Sequence, residues 1–224
     1  MKKSLALFLF ISLSTSVFTQ SELKVIDRVR GYKKTVKANP ENKLSGIKSH
    51  LPGVVLDLRY ADTHNFVGKK MYRGEIKETF LRKPAVLALQ KVQEELALQN
   101  LGLKIWDAYR PYSVTKDFWE LIKDDRYVAN PARGSYHNRG TAVDLTIIDL
   151  KTGKELNMGT GFDNFTDSAH HSFKNLSEEI LKNRTLLKSA MEKHGFKALE
   201  TEWWHYTFQS ETKFDVMDIP FYKL

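Results

Sequence analysis

The 224-residue chain contains no cysteine. That excludes a disulfide framework, a thiolate metal site and a cysteine-linked lipid anchor. A tight metal site must then be built from His, Asp or Glu, and a mature chain of this size folds on burial alone. Long apolar runs are missing too. The one hydrophobic stretch, Leu5 to Leu13, is too short to span a bilayer, and no second one follows. It lies behind Lys2 and Lys3 and ahead of a small, polar stretch, the layout of a secretory leader cut near Thr19 or Gln20. The expectation is an exported protein, periplasmic or secreted, with no stable membrane insertion once the leader is gone. Internal repeats and low-complexity linkers are also absent. Basic residues outnumber acidic ones 35 to 27. They are scattered, which reads as a solvated surface and not as a nucleic-acid stripe.

Three parts are expected: a leader over 1–20, a polar, lysine-rich N-terminal arm over 21–49, and one domain over 50–224. Val54 to Tyr60 reads as a strand. Pro84 opens a helix through about Gln99, with Val86, Leu89, Val92 and Leu96 on one stripe. Leu103 to Tyr109 reads as a strand, Ser113 to Asp124 as a short helix and Thr141 to Ile148 as a strand. Ser177 caps a helix through about His194, closed by Gly195. Ala198 to Phe208 reads as a last strand, rich in aromatics. Helices and strands alternate without repeating βαβ units, so the fold class is α+β, a single domain with an antiparallel or mixed central sheet flanked by helices.

The densest chemistry lies in Gly134-Ser135-Tyr136-His137-Asn138-Arg139-Gly140-Thr141-Ala142-Val143-Asp144 and, far downstream, in Glu202-Trp203-Trp204-His205. Two imidazoles and a carboxylate suffice to hold a divalent metal, and a second carboxylate is left to act as a base. This is the equipment of a zinc hydrolase with an open coordination position. His137 and Asp144 are seven apart and converge only if the chain turns at Asn138-Arg139-Gly140. Taken singly, each also reads as a surface group beside a turn. Glu202 and His205 are three apart. In a regular strand they point to opposite faces, and only a twist or bulge brings them together.

These motifs resemble the zinc D-alanyl-D-alanine dipeptidases, the VanX-type branch of the wider D-Ala-D-Ala metallopeptidase group. The resemblance rests on Ser-x-His-x-x-Gly-x-Ala-x-Asp at Ser135 to Asp144 and on Glu202-Trp203-Trp204-His205. It extends to Asp107-Ala108-Tyr109-Arg110-Pro111, to Asp57-Leu58-Arg59-Tyr60-Ala61 with Asn65-Phe66-x-Gly68-Lys69, and to Met158-Gly159-x-x-Phe162-Asp163. It implies a Hedgehog/D-Ala-D-Ala-peptidase-like fold and one Zn2+ per chain on His137, Asp144 and His205. Glu202 matches the catalytic base and Arg110 the arginine that stabilises the tetrahedral intermediate. Asp163 and Tyr60 match positions lining the pocket where a free amino terminus is held, and Ser135 a position near the substrate carboxylate. One departure is Tyr136, which stands where the best-known members have a second serine.

The implied reaction is zinc-dependent hydrolysis of the dipeptide D-Ala-D-Ala to two D-Ala. Zinc lowers the pKa of water towards about 7, Glu202 moves the proton, and Arg110 pairs with the developing oxyanion. The alternatives are a D,D- or L,D-carboxypeptidase trimming peptidoglycan stem peptides and, from a different class, a non-catalytic cell-wall-binding module. Glu202 and Arg110 speak against the last, since merely binding zinc needs neither.

Overall fold

The computed structural model describes residues 23–124 and 127–224. The expected leader lies outside the described residues. Among the described residues no helix is long and apolar enough to cross a membrane. In chain order the elements are β1 (Val25–Ile26), α1 (Val29–Ala38), β2 (Leu44–Gly46), α2 (Ile47–His50), β3 (Val55–Leu56), β4 (Phe80–Arg82), α3 (Lys83–Ala97) and β5 (Leu101–Asp107). There follow α4 (Tyr112–Ile122), α5 (Tyr136–Arg139), β6 (Ala142–Asp149), α6 (Glu178–Lys193), β7 (Phe196–Leu199), β8 (Glu202–Phe208) and β9 (Val216–Met217).

The central sheet has the order β3-β5-β6-β8-β7. β3 runs parallel to β5, and the other pairs are antiparallel, so the sheet is mixed. Side chains alternate along a strand. Val143, Leu145 and Ile147 of β6 join the core built with Val86, Leu89, Val92 and Leu96 of α3 and Leu187, Ala190 and Met191 of α6. Each of these side chains except that of Ala190 contributes roughly 1.5–3 kcal/mol by leaving water. The alternate β6 residues, Ala142, Asp144 and Thr146, are buried as well. A second apolar cluster joins Ile26, Tyr60, Tyr72, Tyr109, Phe118 and Met217.

The long helices follow their sequence signals. Ser177 Oγ accepts from Ile180 N at 3.4 Å, Glu178 and Glu179 fill the first turn of α6, and Lys193 its last. Past α3, Asn100 takes the left-handed conformation at φ 58° that sends the chain back into β5.

Two strands differ from expectation. The strand expected over Val54–Tyr60 shortens to Val55–Leu56, because Arg59–Ala61 curls into a 3-10 turn. The Tyr60 carbonyl accepts from both Met71 N and Tyr72 N, and its ring packs on Phe66, Tyr72 and Phe118. The strand expected over Ala198–Phe208 belongs to two antiparallel strands, β7 and β8, joined at Glu200 and Thr201. Residues 21–49, expected as an arm, carry β1, α1, β2 and most of α2. β1 pairs in parallel with β9, β2 pairs with β4, and Leu44 and Ile47 are buried.

Candidate active site

Asp144 sits mid-sheet, beside one irregular ladder and one strand away from another. β5 carries one extra residue between Ile105 and Asp107, which sets Asp107 beside Asp144. On the other edge His205 is directly opposite Asp144. The β7–β8 register jumps between Ala198 and Leu199, whose partners are Tyr206 and Glu202. This irregularity brings Glu202 and His205 to one cavity despite their odd spacing, and their side chains approach to 3.9 Å (Oε2 to Nδ1).

His137 arrives on α5, a single helical turn. Ser135 Oγ accepts from His137 N, and Asn138 Oδ1 accepts from Ser135 N at 2.8 Å. Asn138 Nδ2 donates to the Arg110 carbonyl and to Thr115 Oγ1. Gly140 ends the turn at φ 70°, where a Cβ would stand 2.7 Å from Leu44 Cδ2. Arg82, almost fully buried, locks the turn from behind. It donates to the carbonyls of Arg139, Asn42 and Asp215, and burial brings its pKa down to about 10.

His137 Nδ1 donates to the Ala108 carbonyl at 2.7 Å, which leaves the Nε2 lone pair free. His205 Nδ1 donates to Asp144 Oδ1, while Thr207 Oγ1 stands 3.3 Å from His205 Nε2, where it can accept from Nε2–H in the tautomer that would free Nδ1 for a metal. The separations are 3.3 Å from His137 Nε2 to His205 Nδ1, 3.4 Å from His137 Nε2 to Asp144 Oδ2, and 2.9 Å from His205 Nδ1 to Asp144 Oδ1. Ligands about 2.0–2.1 Å from a tetrahedral zinc stand roughly 3.3 Å apart, so the spacing and the N,N,O donor set fit that ion. Burial opposes ionisation of Asp144, but the His137 and His205 imidazoles hold its carboxyl well below the usual range. The His205 imidazole is raised: burial lowers it, and the hydrogen bond and charge of Asp144 outweigh that.

Around this triad lie the other charged groups. Arg110 donates through Nε and Nη2 to Asp107 Oδ2 at 2.9 and 2.6 Å, and its guanidinium lies 5.0 Å from the ring centres of Tyr60 and Phe118. Tyr72 donates its hydroxyl to the other oxygen of Asp107. The Tyr60 hydroxyl donates to both oxygens of Asp163 at 3.1 Å. Burial, then the charge of Asp144, push the Asp163 carboxyl well above its usual range, against Tyr60 and Arg110. Burial also raises Glu202. Asp107, Asp144, Asp163 and Glu202 thus share one buried guanidinium, a surplus of carboxylates that a divalent cation and a substrate ammonium would offset. Tyr60, Arg110, Ser135, His137, Asp144, Asp163, Glu202 and His205 all line one cavity of about 880 Å3.

Residues 40–222 match the profile of the D-ala-D-ala dipeptidase family. The chain belongs to that family. It is 34% identical over 166 residues to the D-alanyl-D-alanine dipeptidase of Escherichia coli (strain K12), covering 74% of this chain and 84% of the relative. To the enzyme of the same name from Enterococcus faecalis (strain ATCC 700802 / V583) it is 33% identical over 189 residues, covering 76% and 94%. A distant likeness to the solved structure of the LdcB LD-carboxypeptidase covers 61% of this chain and 63% of that one, at 22% identity and a TM-score of 0.39. D-Ala-D-Ala dipeptidases are zinc metallopeptidases, so the expectations of an enzyme and of a zinc cofactor are met.

All eight residues singled out in the sequence meet at this cavity. Sequence reasoning assigned no part to Asp107, Tyr72, Thr207 or Arg82. For Asp107 a signal existed, since a carboxylate three residues before Arg110 is spaced to hold it. Ser135 is buried and its hydroxyl caps α5, while Tyr136, more than half exposed, stands at the cavity rim.

Proposed function

We propose that this protein hydrolyses free D-Ala-D-Ala to two D-Ala. His137, Asp144 and His205 hold the zinc, Glu202 is the general base and Arg110 stabilises the oxyanion. The observation that carries the reading is that a carboxyl and a guanidinium, Asp163 and Arg110, line the same cavity as the His137–Asp144–His205 triad. When bound, zinc supplies Lewis acidity and draws the pKa of water towards about 7. Glu202, its proton affinity raised by burial, accepts a proton from the attacking water and delivers it to the leaving nitrogen as the C–N bond breaks. Arg110, fixed by Asp107, offers its guanidinium to the negative charge that develops on the carbonyl oxygen. Asp163, with Tyr60 on its oxygens, receives the substrate ammonium, and Ser135 stands near the carboxylate end. The leader-like residues 1–20 support an exported, periplasmic or secreted enzyme acting on dipeptide outside the cytosol.

The test compares zinc-loaded full-length protein on D-Ala-D-Ala and on N-acetyl-D-Ala-D-Ala by release of D-Ala. Losing the partner of a buried charge costs about 2–5 kcal/mol, so kcat/KM on the acetylated form should fall by roughly 30- to 5,000-fold. Equal cleavage of both compounds rejects the dipeptidase reading in favour of a carboxypeptidase.

A further inference from the structure

Basic residues are scattered along the sequence, but α1 gathers four of them on one side. Val29 and Tyr32 pack on the second apolar cluster, and the Tyr32 hydroxyl accepts from Leu44 N at 2.8 Å. The Thr35 carbonyl accepts from Asn42 Nδ2 at 3.1 Å, which ties the helix to the turn that follows it. Arg30, Lys33, Lys34 and Lys37 follow the i, i+3, i+4, i+7 spacing of a single helical face, turned away from that packed side, and all four are exposed. The charged face is about 10 Å long.

This face costs the helix stability. Arg30 with Lys34, and Lys33 with Lys37, are like charges one turn apart, which repel. Arg30 lies in the first turn, where the helix dipole disfavours a cation, and no side chain caps that end. α1 holds no acidic residue, and among the described residues none of the four cations has a carboxylate within ion-pair distance. Lys24, just ahead of the helix, does bond Asp215, at 2.8 Å. Folding does not account for the arrangement. Neither does catalysis, since α1 gives no residue to the cavity and lies ahead of the residues 40–222 that match the family. An external array of anions would offset the repulsion.

We propose that the exposed face of α1 docks the enzyme on an anionic lipid surface, by attraction to headgroup phosphates and without insertion. A plane of headgroups meets all four charges of a straight, convex face at once, and basic residues are drawn to it within a Debye length, about 8–10 Å. The apolar side of α1 is spent on the protein's own core, so nothing is left to enter the acyl region. A single-stranded nucleic acid fits less well, because the face offers no ring for bases to stack on and Tyr32 is turned inward.

The experiment sediments full-length protein with vesicles of phosphatidylcholine alone and of an equal mixture with phosphatidylglycerol. Each basic residue near such a surface strengthens attachment about fivefold. The variant Arg30→Gln/Lys33→Gln/Lys34→Gln/Lys37→Gln keeps helix-forming side chains and should bind the anionic vesicles at least about a hundredfold more weakly, while cleaving D-Ala-D-Ala as the wild type does. Attachment through the leader-like stretch is common to both proteins and cancels in the comparison. Lys33→Gln/Lys37→Gln serves if the quadruple variant fails to fold, and should weaken binding about tenfold or more. A variant losing equal charge elsewhere, at the exposed Lys91, Lys151, Lys154 and Lys182, should bind like the wild type. Equal weakening by the two quadruple variants, or equal binding of the wild type to both kinds of vesicle, would overturn the docking. So would tighter binding to soluble inorganic polyphosphate than to anionic vesicles at the same phosphate concentration, an outcome that points to a polyanion chain in place of a membrane.

Discussion

Replacing Asp107 by Asn tests how Arg110 is held. Asp107 is fully buried, and the Arg110 side chain is 10% exposed. Two guanidinium nitrogens bond one oxygen of Asp107, and the Tyr72 hydroxyl bonds the other. An asparagine presents an oxygen to Arg110 and an amide to the Tyr72 hydroxyl, which can turn to accept. The substitution therefore removes charge and keeps shape. Breaking a buried pair costs about 3–5 kcal/mol, and the retained hydrogen bonds place this variant at the lower end, near 3 kcal/mol. For a chain of this size that lowers Tm by roughly 6–12 °C. If Arg110 aims at the developing oxyanion, its loosening reduces kcat by about 10²–10³. Zinc content should hold, because His137 Nδ1 rests on the Ala108 carbonyl at 2.7 Å and Asp107 is farther off at 3.6 Å. Tyr72→Phe leaves one oxygen of Asp107 without its donor and should cost less, about 1–3 kcal/mol. Thermal melts, zinc analysis and kcat decide together. Wild-type kcat and Tm in Asp107→Asn would refute the reasoning.

Glu202→Gln should keep fold and zinc yet lose about 10²–10⁴ in kcat, whereas His205→Ala should lose zinc and activity together. Near-normal turnover in zinc-replete Glu202→Gln, or full zinc in His205→Ala, would contradict the assignments. Acid stability tests a residue remote from catalysis. Burial, then the charge of Lys188, hold the His171 imidazole down to about 4 from the ordinary 6.5. Between those values the unfolded chain binds a proton that the folded one refuses, so stability falls as pH drops through that window. His171→Phe should flatten the decline of Tm between pH 7 and 4, and parallel curves for both proteins would remove His171 from the account.

The parts legible in the sequence were those coded locally. The α3 stripe, the Ser177 cap and the alternation through β6 each declare themselves within one element. The β7–β8 hairpin did not, since Glu200-Thr201 carries none of the Gly, Asn or Pro signals of a tight turn. The short β3 was equally hidden, because what bends Tyr60 out of the strand is a pair of amides, those of Met71 and Tyr72, in a later loop. In the site, residue types pointed to His137, Asp144 and His205. The convergence of Glu202 with His205 depends on a register jump that no periodicity displays. Tyr72 stayed invisible because its partner, Asp107, lies 35 residues away in the chain.

The pairing of β1 with β9 bears on the order of assembly. Val25 meets Val216, Lys24 bonds Asp215, and the same β9 packs behind the catalytic turn, where a Cβ on Gly134 would stand 2.7 Å from Val216 Cγ2. A ribosome delivers β1 first and β9 last. The first strand must wait without its hydrogen-bonding edge for nearly the whole time of synthesis, and closure of so distant a contact is intrinsically slow. The turn that carries His137 gains its rear support at that same late moment. A chain lacking β9 would therefore leave the β1 edge unpaired and the His137 turn without that support together.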